Sequence, residues 1–234
     1  VAIPQQVITL DEASVLVVDD RSRRWRLPRA STDLDAATNA GELRICREVA
    51  TERDMLSACG TFFELPAENA DGFAKIRPVS SHNLRVTDFG GYRGMLLMSG
   101  IKPDAPASEH IIRSADGKAA LWAGAIDDLW KLGKPRGVGG PWKNTKVKAA
   151  QPSDPFLMWG YDKRTLTLGM DDAQEVNIKV ELDLTGTGLW VTYKETKLKA
   201  GAQLSLEFEP AVQARWLRVT ADAACTATAQ LKYE

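Results

Sequence analysis

Asp127 and Asp128 stand side by side in AGAIDDLWKLG, and two histidines, His82 in SSHNLRVTDF and His110 in SEHIIRS, each precede an apolar run. Carboxylates and imidazoles at strand mouths can move protons. Cleavage of a glycosidic bond needs two carboxyl groups about 5 to 9 Å apart, one as acid and one as nucleophile or base. Neighbours in an extended segment point to opposite faces, so the two aspartates cannot both serve one substrate from a regular strand. One of them is a candidate, and the second carboxylate would come from Asp88, Glu109 or Asp162. His82 and His110 complete the proton-transfer set. The competing roles are turn capping for the histidines and a turn pair for Asp127 and Asp128. A metal held by both histidines and a carboxylate is the weaker reading, and no metal or cofactor is expected.

Four of the seven tryptophans, Trp122, Trp130, Trp142 and Trp159, crowd one part of the chain. An indole face stacks on the C–H face of a sugar ring, so such a crowd beside Lys, Asp and Asn suits an open carbohydrate cleft. Trp122 and Trp159 lie in apolar runs and are expected in the core. Trp130 and Trp142, flanked by Asp, Lys, Gly and Pro, are the surface candidates. Lys143 and Asn144 follow Trp142 with hydrogen-bonding groups for hydroxyls or a carboxylate, and Tyr161 and Asp162 form a similar pair after FLMW.

Other chemistries are set aside on spacing. The chain has no G-x-S-x-G elbow, no P-loop and no H-E-x-x-H, and GKPRGVGG, though Gly-rich, contains Pro135 and has no Lys-Ser/Thr at its end. The formal net charge of −1, with both signs interspersed, gives no footprint for nucleic acid or an anionic membrane, and a neutral partner such as carbohydrate suits it better. No apolar run approaches a membrane span. The chain begins at Val1 without a signal-peptide core, which reads as a processed or artificial start. Cys46, Cys59 and Cys225 have no C-x-x-C spacing; they read as buried thiols, with one Cys46–Cys59 bridge as the alternative. The basic run RSRRWR follows Asp19 and reads as a solvated hairpin with cross-strand ion pairs.

The elements that must carry these residues are strands. Short period-two segments such as SVLVVDD, ELRICREV, TFFELP and GMLLMSG are separated by Gly, Pro, Asp and Asn, and no helix is expected. Hairpin-like units ending near Leu27, Leu65, Leu97 and Leu132 recur at intervals of roughly 35 residues, the texture of propeller blades. The strands before the Pro-containing link AAQPSDP are too few to close a propeller. A partner chain or a missing N-terminal segment is therefore expected to complete the fold. After the link the strands lengthen. In VNIKVELDL, Val176, Ile178, Val180, Leu182 and Leu184 share one face, as in a small antiparallel sandwich. The expected organisation is an all-β chain with propeller-like hairpins over 1–150 and a β-sandwich over 151–234. AGAIDDLWKLG is expected to be a hairpin's second strand and KPRGVGGPWKNTK a long loop forming a binding wall.

LDLTGTGLWVTYKETKLKAG and ARWLRVTAD resemble the accessory β-sandwich modules of secreted carbohydrate-active enzymes, including a strand of discoidin-like domains. The first two thirds resemble blades of bacterial β-propeller proteins of the glycoside hydrolase kind. SADGKAALW departs from the Asp-box, with Trp122 two places late, yet keeps Ser114, Asp116 and Gly117 for a turn that Asp116 caps. The resemblance implies export to the periplasm or outside the cell. It also implies a carbohydrate-active protein, part of a glycoside-cleaving enzyme working through carboxylate and histidine acid-base chemistry. The alternative is a non-catalytic sugar-binding or scaffold subunit.

Overall fold

A computed structural model describes residues 7–19, 21–34, 45–50, 53–171 and 175–234. The chain is all-β and divides into two compact units, one within residues 29–135 and the other comprising the N-terminal stretch up to Pro28 with residues 136–234.

Three short strands, β1 (Val7–Leu10), β2 (Val15–Val18) and β3 (Arg24–Leu27), form an antiparallel meander that belongs to the second unit. The first unit begins with β4 (Ile45–Ala50), β5 (Arg53–Ala58), β6 (Thr61–Pro66) and β7 (Arg77–Ser81), a sequential four-stranded meander with the pattern of a propeller blade. A second four-stranded antiparallel sheet follows from β8 (Asp88–Tyr92), β9 (Met95–Ile101), β10 (Ile111–Arg113) and β11 (Ala120–Gly124), in the order β10-β11-β9-β8. The turns Cys59-Gly60 and Arg93-Gly94 carry positive φ at both positions, the geometry that matches strand twist in two-residue hairpins. The inner faces of the two sheets share one core, in which Met55, Phe62 and Val79 meet Phe89, Met98 and Trp122.

The second unit continues with β12 (Gly137–Val147), β13 (Phe156–Leu157), β14 (Arg164–Met170), β15 (Val176–Asp183), β16 (Trp190–Leu198), β17 (Gln203–Phe208), β18 (Trp216–Ala221) and β19 (Cys225–Tyr233). One sheet runs β1-β2-β3-β13-β18-β15-β16 and the other β12-β19-β14-β17. All pairings are antiparallel except β13 with β3. Val176, Ile178, Val180 and Leu182 are buried along one face of β15 as their alternation dictates, whereas Leu184 lies beyond the strand and is exposed. Asp183 ends the strand buried, its carboxylate accepting the N–H groups of Thr185, Gly186, Thr187 and Gly188 and so fixing the TGTG turn.

The sequence reading of KPRGVGGPWKNTK as a loop does not hold: residues 137–147 are an eleven-residue strand. Its Gly and Pro serve two bulges. Between Gly139↔Leu231 and Trp142↔Ala229, Gly140 and Pro141 face the single residue Gln230; between Trp142↔Ala229 and Thr145↔Ala227, Lys143 and Asn144 face Thr228. Pro141, which has no N–H to give a ladder, is tolerated at such a bulge. AGAIDDLWKLG also departs from expectation. β11 stops at Gly124, and Ile126–Lys131 form a 3-10 helix. Cys46, Cys59 and Cys225 are free thiols. Of the basic run, Arg26 is not solvated. It is buried and bonded to Asp11 and Asp154. Among the described residues no helix is long and apolar enough to cross a membrane.

A Cβ added at Gly140 would stand 1.9 Å from the carbonyl oxygen of Ala229. Gly140→Ala is therefore expected to lower stability by about 3 kcal/mol in urea unfolding. Gly90→Ala, where a Cβ meets nothing within 4 Å, should shift it by less than about 0.5 kcal/mol.

Candidate functional site

The 3-10 helix Ile126–Lys131 organises the candidate residues of the first unit. With three residues per turn, side chains at i and i+3 eclipse, so the helix has three narrow faces. Leu129 is buried in the core, with Ile126 and Leu132 packed against it. Asp127 and Trp130 share a second face, and Asp128 and Lys131 a third.

On the second face Arg53 reaches Asp127 at 3.3 Å and lies 3.6 Å from Glu64. Glu64 also binds Arg77 at 2.8 Å, and the Arg77 guanidinium sits 5.9 Å from the ring centre of Trp130. Trp130 is 47% exposed, the open indole that the sequence reading expected. Arg53, Glu64 and Arg77 were not singled out in the sequence, because cross-strand neighbours become adjacent only once β5, β6 and β7 pair.

On the third face Asp128 accepts the Ala125 N–H at 2.8 Å, the return half of an N-terminal cap, and the Lys131 ammonium at 2.7 Å. The Lys131 bond first, and then the Ala125 N–H, hold its carboxyl below the usual carboxylate range. A carboxylate so held is an anion and a poor acid. His110 stacks on the buried Trp122 at 4.7 Å, and its Nδ1 lies 3.0 Å from the carbonyl oxygen of Ala123. A carbonyl only accepts, so Nδ1 donates to it, and Nε2 lies 3.5 Å from Glu109 Oε1. A Cβ at Gly124 would fall 2.6 Å from Trp122, 2.8 Å from His110 Nδ1 and 3.0 Å from Asp128 Oδ2, which marks the point where these three groups converge.

The structure does not join the other candidates to this place. Asp127 and Asp128 face different clusters. Asp88 is exposed on β8, ion-paired with Arg47 at 3.3 Å. His82 is buried, its ring tilted against Phe62 at 4.6 Å, with Nδ1 accepting the Leu84 N–H and Nε2 without a partner among the described residues. Burial pushes its pKa down to about 4, so it is neutral at pH 7. Asp54, directly opposite Glu48, has its carboxyl held above the usual range by burial and then by that neighbour. It alternates with Arg53 along β5 and so points away from the Asp127 cluster. The turn 114–119 has the Asp-box-like capping expected, with Asp116 accepting Ser114 Oγ at 2.6 Å and the Lys118 N–H at 3.1 Å. Among the described residues no group of three or more His, Cys, Asp and Glu could hold a metal ion.

In the second unit, β12 separates the candidates by its pleat. Trp142, expected at the surface, is buried; it lines a depression of about 280 Å³ together with Arg26 and Asp154. Lys143 and Asn144, placed by their bulge on the opposite side, line a second depression of about 200 Å³ with Thr167, Gln203, Thr228 and Gln230. Asn144 adopts φ 48°, which asparagine tolerates. Its N–H donates to Thr228 Oγ1, which donates in turn to Asn144 Oδ1. Gly169 lies in register between Gln203 and Thr228 and leaves a notch; a Cβ there would sit 3.6 Å from Gln203 and 3.8 Å from Thr228. Gly169, unexplained in TLTLGM, is the sequence signal for this place, since glycine inside a strand marks a close approach or a ligand. Tyr161 is buried and stacked on Tyr233 at 4.0 Å, while Asp162 is exposed.

No protein-family model and no curated protein matches the chain significantly. Among solved structures it aligns with the exo-beta-1,3-galactanase of Phanerochaete chrysosporium, determined with galactose, over 98% of this chain and 68% of that one, at 8% identity and a TM-score of 0.23. It also aligns with the GH32 beta-fructofuranosidase of Bombyx mori over 98% of this chain and 65% of that one, at 10% identity and a TM-score of 0.21. The chain spans less than two thirds of the fructofuranosidase. Likenesses of this size carry no argument about chemistry, which rests on the residues themselves.

Because the unfolded chain protonates His82 near 6.5 and the folded chain only near about 4, the unfolded state holds the extra proton in between. Stability should therefore fall as pH drops through that window, by at most about 3 kcal/mol. His82→Asn, whose side-chain oxygen can accept the Leu84 N–H in place of Nδ1, should flatten this part of a chemical-denaturation pH profile.

Proposed function

We propose that the protein is carbohydrate-active and binds a saccharide on the outer face of the β12-β19-β14-β17 sheet. The reading is carried by the bulge that turns both Lys143 and Asn144 toward the notch at Gly169, where Thr167, Gln203 and Thr228 add hydroxyl and amide groups. Sugar hydroxyls both donate and accept, and this set of side chains offers both functions with a cation at the rim.

Binding to a glycan panel tests it. Gly169→Val fills the notch, and Asn144→Ala removes the amide. Each is expected to weaken the best ligand at least tenfold while Tm stays within a few degrees. Unchanged affinity in both variants sinks this reading.

A second reading rests on its own observation, the convergence of His110, Asp128 and Trp122 around Gly124. There the cluster acts on a glycosidic bond, with His110 Nε2 moving a proton and the ionised Asp128 stabilising positive charge as it develops at the sugar. Release of reducing sugar should then fall about 100-fold or more in Asp128→Asn and in His110→Gln. Full activity in both variants excludes the cluster from cleavage.

A further inference from the structure

Arg164 is the first residue of β14, and the pleat that buries Leu166, Leu168 and Met170 buries it too, at 1% exposure. A guanidinium has five N–H donors and no neutral form in proteins, so its burial calls for matching acceptors and a counter-charge. Here the acceptors are few. Nη2 donates to the carbonyl oxygens of Glu209 and Pro210 at 3.3 and 3.4 Å, both long bonds, while Nε and Nη1 have no partner among the described residues. Arg164 forms no ion pair with any described carboxylate.

A second buried donor, Tyr161, stacks on the ring of Tyr233, the cross-strand neighbour of Arg164, at 4.0 Å with the rings within 13° of parallel. Tyr233 donates its own hydroxyl to Leu157 at 2.6 Å. Tyr161, 4% exposed, has a hydroxyl without a partner among the described residues. Around Tyr233 the second unit thus buries a cation without an ion pair and three N–H or O–H donor atoms that have no acceptor among the described residues. Burial lowers the affinity of Arg164 for its proton, and the fields of Tyr233 and then of exposed Asp162 oppose this.

We propose that this corner is a binding site for a small monovalent anion of halide size, accepted by Arg164 and the Tyr161 hydroxyl. An anion supplies at once the missing counter-charge and the missing acceptor. The enclosure of Arg164 favours a halide over a saccharide carboxylate, although a small carboxylate has the same chemistry. The segment 159–163, with Gly160 at φ 87° and Gly160, Asp162 and Lys163 exposed, is the surface loop through which the ion enters. The site is independent of the saccharide face proposed above.

Thermal unfolding of the whole chain at constant ionic strength, with chloride, bromide or acetate titrated against bulky gluconate, tests it. A ligand held only by the folded state raises Tm by mass action. Chloride and bromide are expected to raise Tm by several degrees and to saturate. The rise should vanish in Arg164→Met and shrink in Tyr161→Phe, a change small enough to keep the fold if the first does not. Crystals soaked in bromide should show an anomalous peak beside Arg164. Equal Tm in all salts, a rise with acetate alone, a rise that both variants retain, or bromide peaks confined to the surface would overturn the proposal.

Discussion

The second unit depends on one close approach of backbone to backbone, at Gly140. Its N–H donates to Ala13 at 3.1 Å, its carbonyl accepts the Ser14 hydroxyl at 2.8 Å, and its missing Cβ lets the Ala229 carbonyl lie against it. Ser14 in turn accepts a bond from the buried Arg26, itself fixed by Asp11 and Asp154. The approach therefore ties the segment before β2 to β12, and so one sheet of the unit to the other. It also explains the strand's distortion. A chain this close on both sides cannot keep a regular ladder, and β12 absorbs the mismatch in two bulges within a few residues. The second of these turns Lys143 and Asn144 to the same side.

In the first unit the corresponding constraint is the period of the helix Ile126–Lys131. An α-helix would spread these side chains around its circumference; three residues per turn stack them in pairs. The apolar face is held by the core between the two sheets, and this forces Asp127 and Asp128 apart into separate clusters. Each carboxylate is then satisfied locally, by Arg53 or by Lys131 and the Ala125 N–H. Exposed ion pairs of this kind contribute little stability. Their effect is positional, since they hold Trp130 open on one side and set an ionised Asp128 beside His110 on the other.

Buried polar groups separate what is structural from what is left over. Asp183 is surrounded by four N–H donors and locks a turn, and Arg26 has two carboxylates. Both are complete within the chain. Arg164 and Tyr161 are as deeply buried and are not complete among the described residues, and burial of an unmet charge is far costlier than burial of a paired one.

The sequence by itself determined the all-β class, because side chains alternate about a strand with a period of two wherever one face meets a core. The face assignment of Val176 to Leu182 and the hairpins at Cys59-Gly60 and Arg93-Gly94 follow from local rules of the same kind. It also singled out Lys143 and Asn144, and the open Trp130. It misread residues 126–131 and 137–147, since Gly, Pro and Asp are chosen there for contacts with residues far along the chain. The Ile126-Leu129-Leu132 spacing of three was present but too short to distinguish from a strand without the core that selects it. Tertiary structure alone decided that β1–β3 join the sheet of β15, β16 and β18, and that Trp142 and Lys143 lie on opposite sides of one strand. It alone brought Thr167, Gly169, Gln203 and Thr228 to one surface. Strand pairing joins residues distant in sequence, and no local propensity encodes the partner or its register.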